Sequence, residues 1–171
     1  LDAATGGGLF VGRVTEPFGL ENCGKTSLVK QCAWMAQQKE FYERIIDDQH
    51  QLVRMQKVDP DVVDVITIYL DNEQSVDADG KLHFYNSVEE RTEILDCALG
   101  ACDTVDQMFK IFDKTLNVCH AEKKPNRILF IVFITDTVAG TASKEELASK
   151  WGTDDYPRQP KQLKEGFRRL I

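Results

Sequence analysis

The stretch Gly19-Leu20-Glu21-Asn22-Cys23-Gly24-Lys25-Thr26 has glycine at its first and sixth positions and lysine and threonine at its last two. That is the spacing G-x-x-x-x-G-K-[ST]. The glycines let a short loop wrap so that successive backbone N–H groups, with a helix N-terminus behind them, point at phosphate oxygens. Lys25 adds a positive charge at the phosphates, and the Thr26 hydroxyl is a ligand suited to Mg2+. Gly19, Leu20, Glu21, Asn22, Cys23, Gly24, Lys25, Thr26 and Ser27 are therefore the expected contacts of a nucleotide's phosphates.

The flanks fit such a loop. Residues 9–18 are apolar and β-branched enough for a first strand, interrupted by Pro17, and a helix is expected from Gly24, with Leu28, Cys32, Met35 and Ala36 at helical spacing. The same spacing through Phe41, Ile45, Leu52 and Val53 predicts a second or bent helix as far as Lys57, ended by Asp59-Pro60. VVDVITIYL, residues 62–70, reads as a buried strand, and RILFIVFI, residues 127–134, as the most hydrophobic strand of the chain. Between them, residues 81–85 read as a strand or hairpin arm, Asp79-Gly80 as a turn, residues 92–97 as another strand and residues 104–120 as a helix. This alternation predicts an α/β fold, a mostly parallel central sheet with helices on both faces, with ligands beyond the carboxyl ends of the strands.

Acids stand where those ends should be. Asp136, closing the hydrophobic strand, is expected to serve the metal together with Thr26. Hydrolysis also needs a group to orient or deprotonate water. The position after Asp136 is Thr137, so the base is sought elsewhere, and Glu73, two residues beyond Asp71 at the end of the other strand, is the candidate.

With 171 residues, 42% of them hydrophobic, the chain is sized for one domain over residues 1–171. Leu1 and the amphipathic final residues read as ends cut from a longer polypeptide. No apolar run nears the ~20 residues that span a bilayer. No signal peptide is legible in LDAATGGGLF, so a cytoplasmic location without membrane contact is expected. Cys23, Cys32, Cys97, Cys102 and Cys119 lack paired spacing, which fits a reducing compartment; Cys97, Cys102, Cys119 and His120 match no common zinc pattern. A net charge of -7 argues against bulk electrostatic binding of nucleic acid. The exception is YPRQPKQLKEGFRRLI, where Arg158, Lys161, Lys164, Arg168 and Arg169 reverse the sign and offer a local phosphate-contacting patch.

These pieces, in this order, resemble the ATPase core of the RecA family of DNA recombinases. GGGLFVGRVTEPFGLENCGKTSL, residues 6–28, is similar to the family's glycine-bearing lead and G-x-E-x-x-G-K-T loop, Glu21 included. LDNEQSVD, residues 70–77, is similar to its D-x-E-x-x-x-D signature, which implies Glu73 as catalytic base and Asp77 near the adenine. DTVDQMF, residues 103–109, resembles the start of the helix before the Walker B strand, and FITDTVAGT, residues 133–141, resembles that strand itself. Residues 151–171 correspond to the first DNA-binding loop and the helix behind it, carrying Arg158, Lys161 and Arg168. Ala78, Asp79 and Gly80 stand where the family has an adenine-stacking tyrosine. The longer intervals on either side of the second strand mark a divergent, bacteriophage-like relative.

The resemblance implies a RecA-like fold, ATP and Mg2+ as cofactors, Lys25 and Glu73 as catalytic residues, single-stranded DNA as partner and self-assembly into a filament. The sequence also admits a hexameric motor or regulatory ATPase of the ring-helicase or clock type, and a nucleotide-binding assembly module with negligible turnover.

Overall fold

The structure, a computed structural model, describes residues 9–20, 22–74, 76–87, 89–138, 141 and 159–170. Helix α1 spans Lys25–Gln37 and is followed by an antiparallel hairpin, β1 (Tyr42–Ile46) and β2 (Leu52–Lys57). A short 3-10 turn, Pro60–Val62, leads into β3 (Val63–Asp71). Then come a second hairpin, β4 (His83–Asn86) and β5 (Arg91–Ile94), a short strand β6 (Ala98–Gly100), helix α2 (Val105–Glu122), strand β7 (Ile128–Asp136) and helix α3 (Gln159–Leu170).

The parallel sheet has three strands in the order β6-β3-β7. β3 and β7 run in unbroken register from Val63 opposite Ile128 to Asp71 opposite Asp136. Because side chains alternate along a strand, this register sorts the two strands into two faces. On one face Tyr69, Val132 and Ile134 pack with Ala33 and Trp34 of α1 and with Leu82, Phe84 and Leu95 of the second hairpin. On the other, Ile68, Leu70 and Phe133 pack with Cys102, Val105, Met108 and Phe109 at the start of α2, and with Leu163 of α3. Each large apolar side chain buried this way contributes about 1.5–3 kcal/mol.

Local chemistry explains where the elements begin. Thr104 caps α2 in a reciprocal box: the Gln107 N–H donates to the Thr104 hydroxyl (3.2 Å), and the Gln107 amide oxygen accepts from the Thr104 N–H (3.2 Å). Asp59 accepts from the Asp61 N–H and starts the turn that feeds β3. α3 seats on α2 through Phe167, edge-on to Phe109 with centroids 5.3 Å apart, and through Gly166, whose position leaves no room for a side chain beside the Phe109 ring.

Several sequence expectations are overturned. The mostly parallel central sheet of a RecA-like fold is not what the described residues form: there are three separate sheets, two of them antiparallel pairs, and only one parallel sheet, of three strands. The first strand over residues 9–18 does not form. Gly12 takes a left-handed φ of 74° in a turn, Pro17 has no N–H to donate, and Leu9, Phe10, Val11 and Val14 are exposed. The second or bent helix expected from Phe41 as far as Lys57 is the β1–β2 hairpin. α1 stops because Lys39 turns left-handed at φ 57°, with its N–H returning to the Ala36 carbonyl. Asp47 then captures the Gln49 and Gln51 N–H groups at 2.9 and 2.8 Å, trading helix bonds for a turn.

Candidate functional site

The loop of residues 19–26 runs directly into α1. Asn22 and Gly24 are left-handed, at φ 58° and 87°, which curls the loop back toward its start. A β-carbon on Gly19 would sit 2.8 Å from the Cys23 Sγ, so the loop closes on itself there. The Lys25 Nζ reaches across it, donating to the carbonyls of Gly19 (3.1 Å) and Leu20 (2.8 Å) and lying 3.9 Å from Cys23 Sγ. The ammonium thus spans the loop's mouth. Behind it, α1 begins without a side-chain cap and without an acid in its first turn, so its first N–H groups and positive dipole end face the loop. Thr26 is half-buried and Ser27 exposed in that turn; Glu21 lies outside the described residues.

The direction of α1 decides what the loop faces. Near its end, Gln37 donates to the Thr67 hydroxyl at 2.8 Å; further back, Ala33 packs with Tyr69. The helix therefore runs antiparallel to β3, and stepping toward its start means climbing toward the carboxyl end of the strand. From Ala33 back to Lys25 the helix rises about 12 Å, whereas Tyr69 to Asp71 spans about 7 Å. The loop consequently lies just beyond the level of Asp71 and Asp136.

Those two carboxylates are cross-strand neighbours on the α1 face. Both are buried, Asp71 at 6% and Asp136 at 5% exposure, which is unusual for aspartate and demands polar partners. The Tyr69 hydroxyl, itself fully buried, donates to Asp136 Oδ2 at 2.6 Å. Asp71 Oδ2 accepts the Val76 N–H at 3.0 Å, which turns the chain back after the strand. The N–H groups of Asn72 and Glu73 both donate to the Asp136 carbonyl, at 2.8 and 3.2 Å. Glu73 follows with an exposed side chain. An open cleft of about 380 Å³, lined by Asp71, Gln74, Val76, Leu99, Gly100 and Ala101, lies at this end of β3 and β6.

Thr26 and Asp136 each present oxygen, the donor type that a hard cation such as Mg2+ takes. Among the described residues no three or more His, Cys, Asp or Glu side chains gather as a metal cage. Burial pushes the Cys97, Cys102 and Cys119 thiols above their ordinary range, so they stay protonated and are poor metal ligands.

Other expected residues lie apart. Asp77 is exposed in the turn before β4, its N–H donating to the Lys81 carbonyl at 3.0 Å, and no hydrogen bond or ion pair among the described residues joins it to the loop. Lys161, Lys164 and Arg168 are exposed on α3, with Glu165 4.0 Å from Lys161; Arg158 lies outside the described residues. A separate cavity of about 210 Å³ in the α2–α3 seam, lined by Phe109, Asp113 and Gln162 among others, holds none of the expected site residues. Tyr69 and Asn72 are site residues that the sequence reading missed. The β3–β7 register reveals Tyr69, and the contacts with Cys102 and Thr137 reveal Asn72. Among the described residues no helix is long and apolar enough to cross a membrane. Comparison with protein-family models, curated proteins and solved structures finds no match.

Proposed function

We propose that this chain binds ATP at residues 19–26 and hydrolyses it, serving as the ATPase of a DNA recombinase. The observation that carries the reading is the direction of α1: antiparallel over β3, it begins, with the Lys25-closed loop, toward the strand end that carries Asp71, Asp136 and the Glu73 turn. The order of motifs along the chain supports the recombinase assignment. The fold class first expected does not enter it.

Lys25, released from the Gly19 and Leu20 carbonyls, binds the terminal phosphates together with the first N–H groups of α1. Thr26 and Asp136 would hold Mg2+, which would offset phosphate charge. Tyr69 fixes the rotamer of Asp136. The Glu73 carboxylate accepts a proton from water as the water oxygen bonds to the γ-phosphorus and the bond to the β–γ bridging oxygen breaks, leaving ADP and inorganic phosphate. Lys161, Lys164 and Arg168 on α3, with Arg158 before it, contact the phosphates of single-stranded DNA. That interaction is strongest at low salt.

The test is ATP turnover by the purified protein with and without single-stranded DNA at low salt, alongside electron microscopy. Stimulated turnover with filaments is expected. Turnover in closed rings without DNA stimulation would favour a hexameric motor or regulatory ATPase, and the absence of both turnover and filaments would sink the recombinase reading.

A further inference from the structure

Asn72 occupies the position between Asp71 and Glu73 and is half-buried where three segments converge. Its side-chain Oδ1 accepts the Cys102 N–H at 2.9 Å, in the loop that enters α2. Its Nδ2 donates to the Thr137 carbonyl at 3.2 Å, just past Asp136, and contacts Cys102 Sγ at 3.6 Å. Its own N–H donates to the Asp136 carbonyl at 2.8 Å. One side chain thus joins the end of β3, the exit of β7 and the entrance of α2, immediately before an exposed glutamate whose own N–H is held by that same Asp136 carbonyl at 3.2 Å.

An exposed side chain on a turn has many orientations, and a catalytic carboxylate misplaced by about 1 Å loses on the order of a hundredfold in rate. We infer that Asn72 is a positioning residue for Glu73: it fixes the turn carrying the base against the segment that carries Asp136 and against the α2 entrance. The inference rests on Glu73 acting as base. Asn suits this place because it presents an acceptor to Cys102 and a donor to Thr137 at once; aspartate keeps only the first, and leucine, of similar size, keeps neither. Asn72 touches no reacting atom in this scheme. Its loss acts on turnover and leaves nucleotide binding alone.

The test compares the parent with Asn72→Leu, Asn72→Asp and Glu73→Gln, measuring kcat and KM for ATP, affinity for ADP, and thermal unfolding. Asn72→Leu is expected to lower kcat by roughly tenfold to a hundredfold with KM and ADP affinity within about threefold of the parent, and Asn72→Asp to fall between. Where the leucine variant does not fold, the aspartate variant decides. A kcat within about twofold of the parent in every folded Asn72 variant, or a loss of ADP affinity matching the loss of kcat, overturns the assignment of Asn72. A parent that binds ATP without turning it over, unchanged by Glu73→Gln, overturns the hydrolysis reading and this inference with it; a parent that does turn over isolates any failure to Asn72.

Discussion

The two ends of the β3–β7 ladder are built from the same register and do opposite things. At the amino end, Arg127 grips Asp64 with two bonds of 2.6 Å and also donates to the carbonyls of Val63 (3.2 Å) and Asp61 (2.5 Å). A cation and an anion meet there, partly exposed, and each satisfies the other. At the carboxyl end two aspartates are set side by side, more deeply buried, and their partners include a hydroxyl and a backbone N–H. Buried carboxylates demand polar partners. The contrast is between an end closed by an ion pair and an end whose acids lean on a hydroxyl and the main chain; on the proposed reading, the second is the end that meets the nucleotide.

Substitutions at each end separate these roles. The largest effect is expected from Glu73→Gln, which should lower turnover by about 100- to 10,000-fold while nucleotide affinity is unchanged, as single-turnover kinetics and a binding titration would measure. Tyr69→Phe removes the hydroxyl that orients Asp136. It should lower kcat roughly tenfold, raise the magnesium concentration needed for half-maximal rate, and cost about 1 kcal/mol of stability in a denaturant titration. Gly166→Val forces a side chain into the Phe109 ring; the expected loss is about 1–3 kcal/mol by the same titration, with ATP binding intact because the α2–α3 seam lies on the far face of the sheet.

The smallest effect belongs to the amino end. The hydrogen bond from Arg127 holds the Asp64 carboxyl below its ordinary range, opposed by partial desolvation. A lowered folded-state value means that the pair stabilises above the unfolded carboxylate pKa of about 3.9, and that this contribution is lost as pH falls through the lower folded value. Asp64→Asn should therefore flatten the acid limb of the stability curve below about pH 4 and change neutral-pH stability little, since the pair is partly exposed and solvent-screened. Its turnover should match the parent. A fall in kcat as large as that of Tyr69→Phe would erase the distinction between the two ends.

What the sequence discloses follows the strength of local signals. β3, β7 and α2 were legible because long Val- and Ile-rich runs and a helix repeat through Val105, Met108 and Phe112 leave little ambiguity, and the loop was singled out by glycine, lysine and threonine at fixed spacing. The 42–57 hairpin was misread because Phe41, Ile45, Leu52 and Val53 recur at helical spacing, while the deciding interactions, Lys39 turning left-handed and Asp47 capturing two amides, leave no trace in periodicity. The strand expected over residues 9–18 failed for a different reason: apolar composition does not guarantee a ladder partner. With it went the mostly parallel sheet, whose strand count depended on that segment. Asp136 and Glu73 could be singled out from strand ends alone, whereas Tyr69 and Asn72 required knowing which strands are neighbours and which residues face each other.

Magnesium-dependent titration of a fluorescent ATP analogue onto the parent and onto Lys25→Ala tests the central claim most directly. Saturable binding by the parent, displaced by ATP and weakened by at least about tenfold in Lys25→Ala, equivalent to about 1.4 kcal/mol or more, is the predicted result. Equal affinity in the two proteins, or no binding in either, would contradict the assignment of residues 19–26 as the nucleotide site.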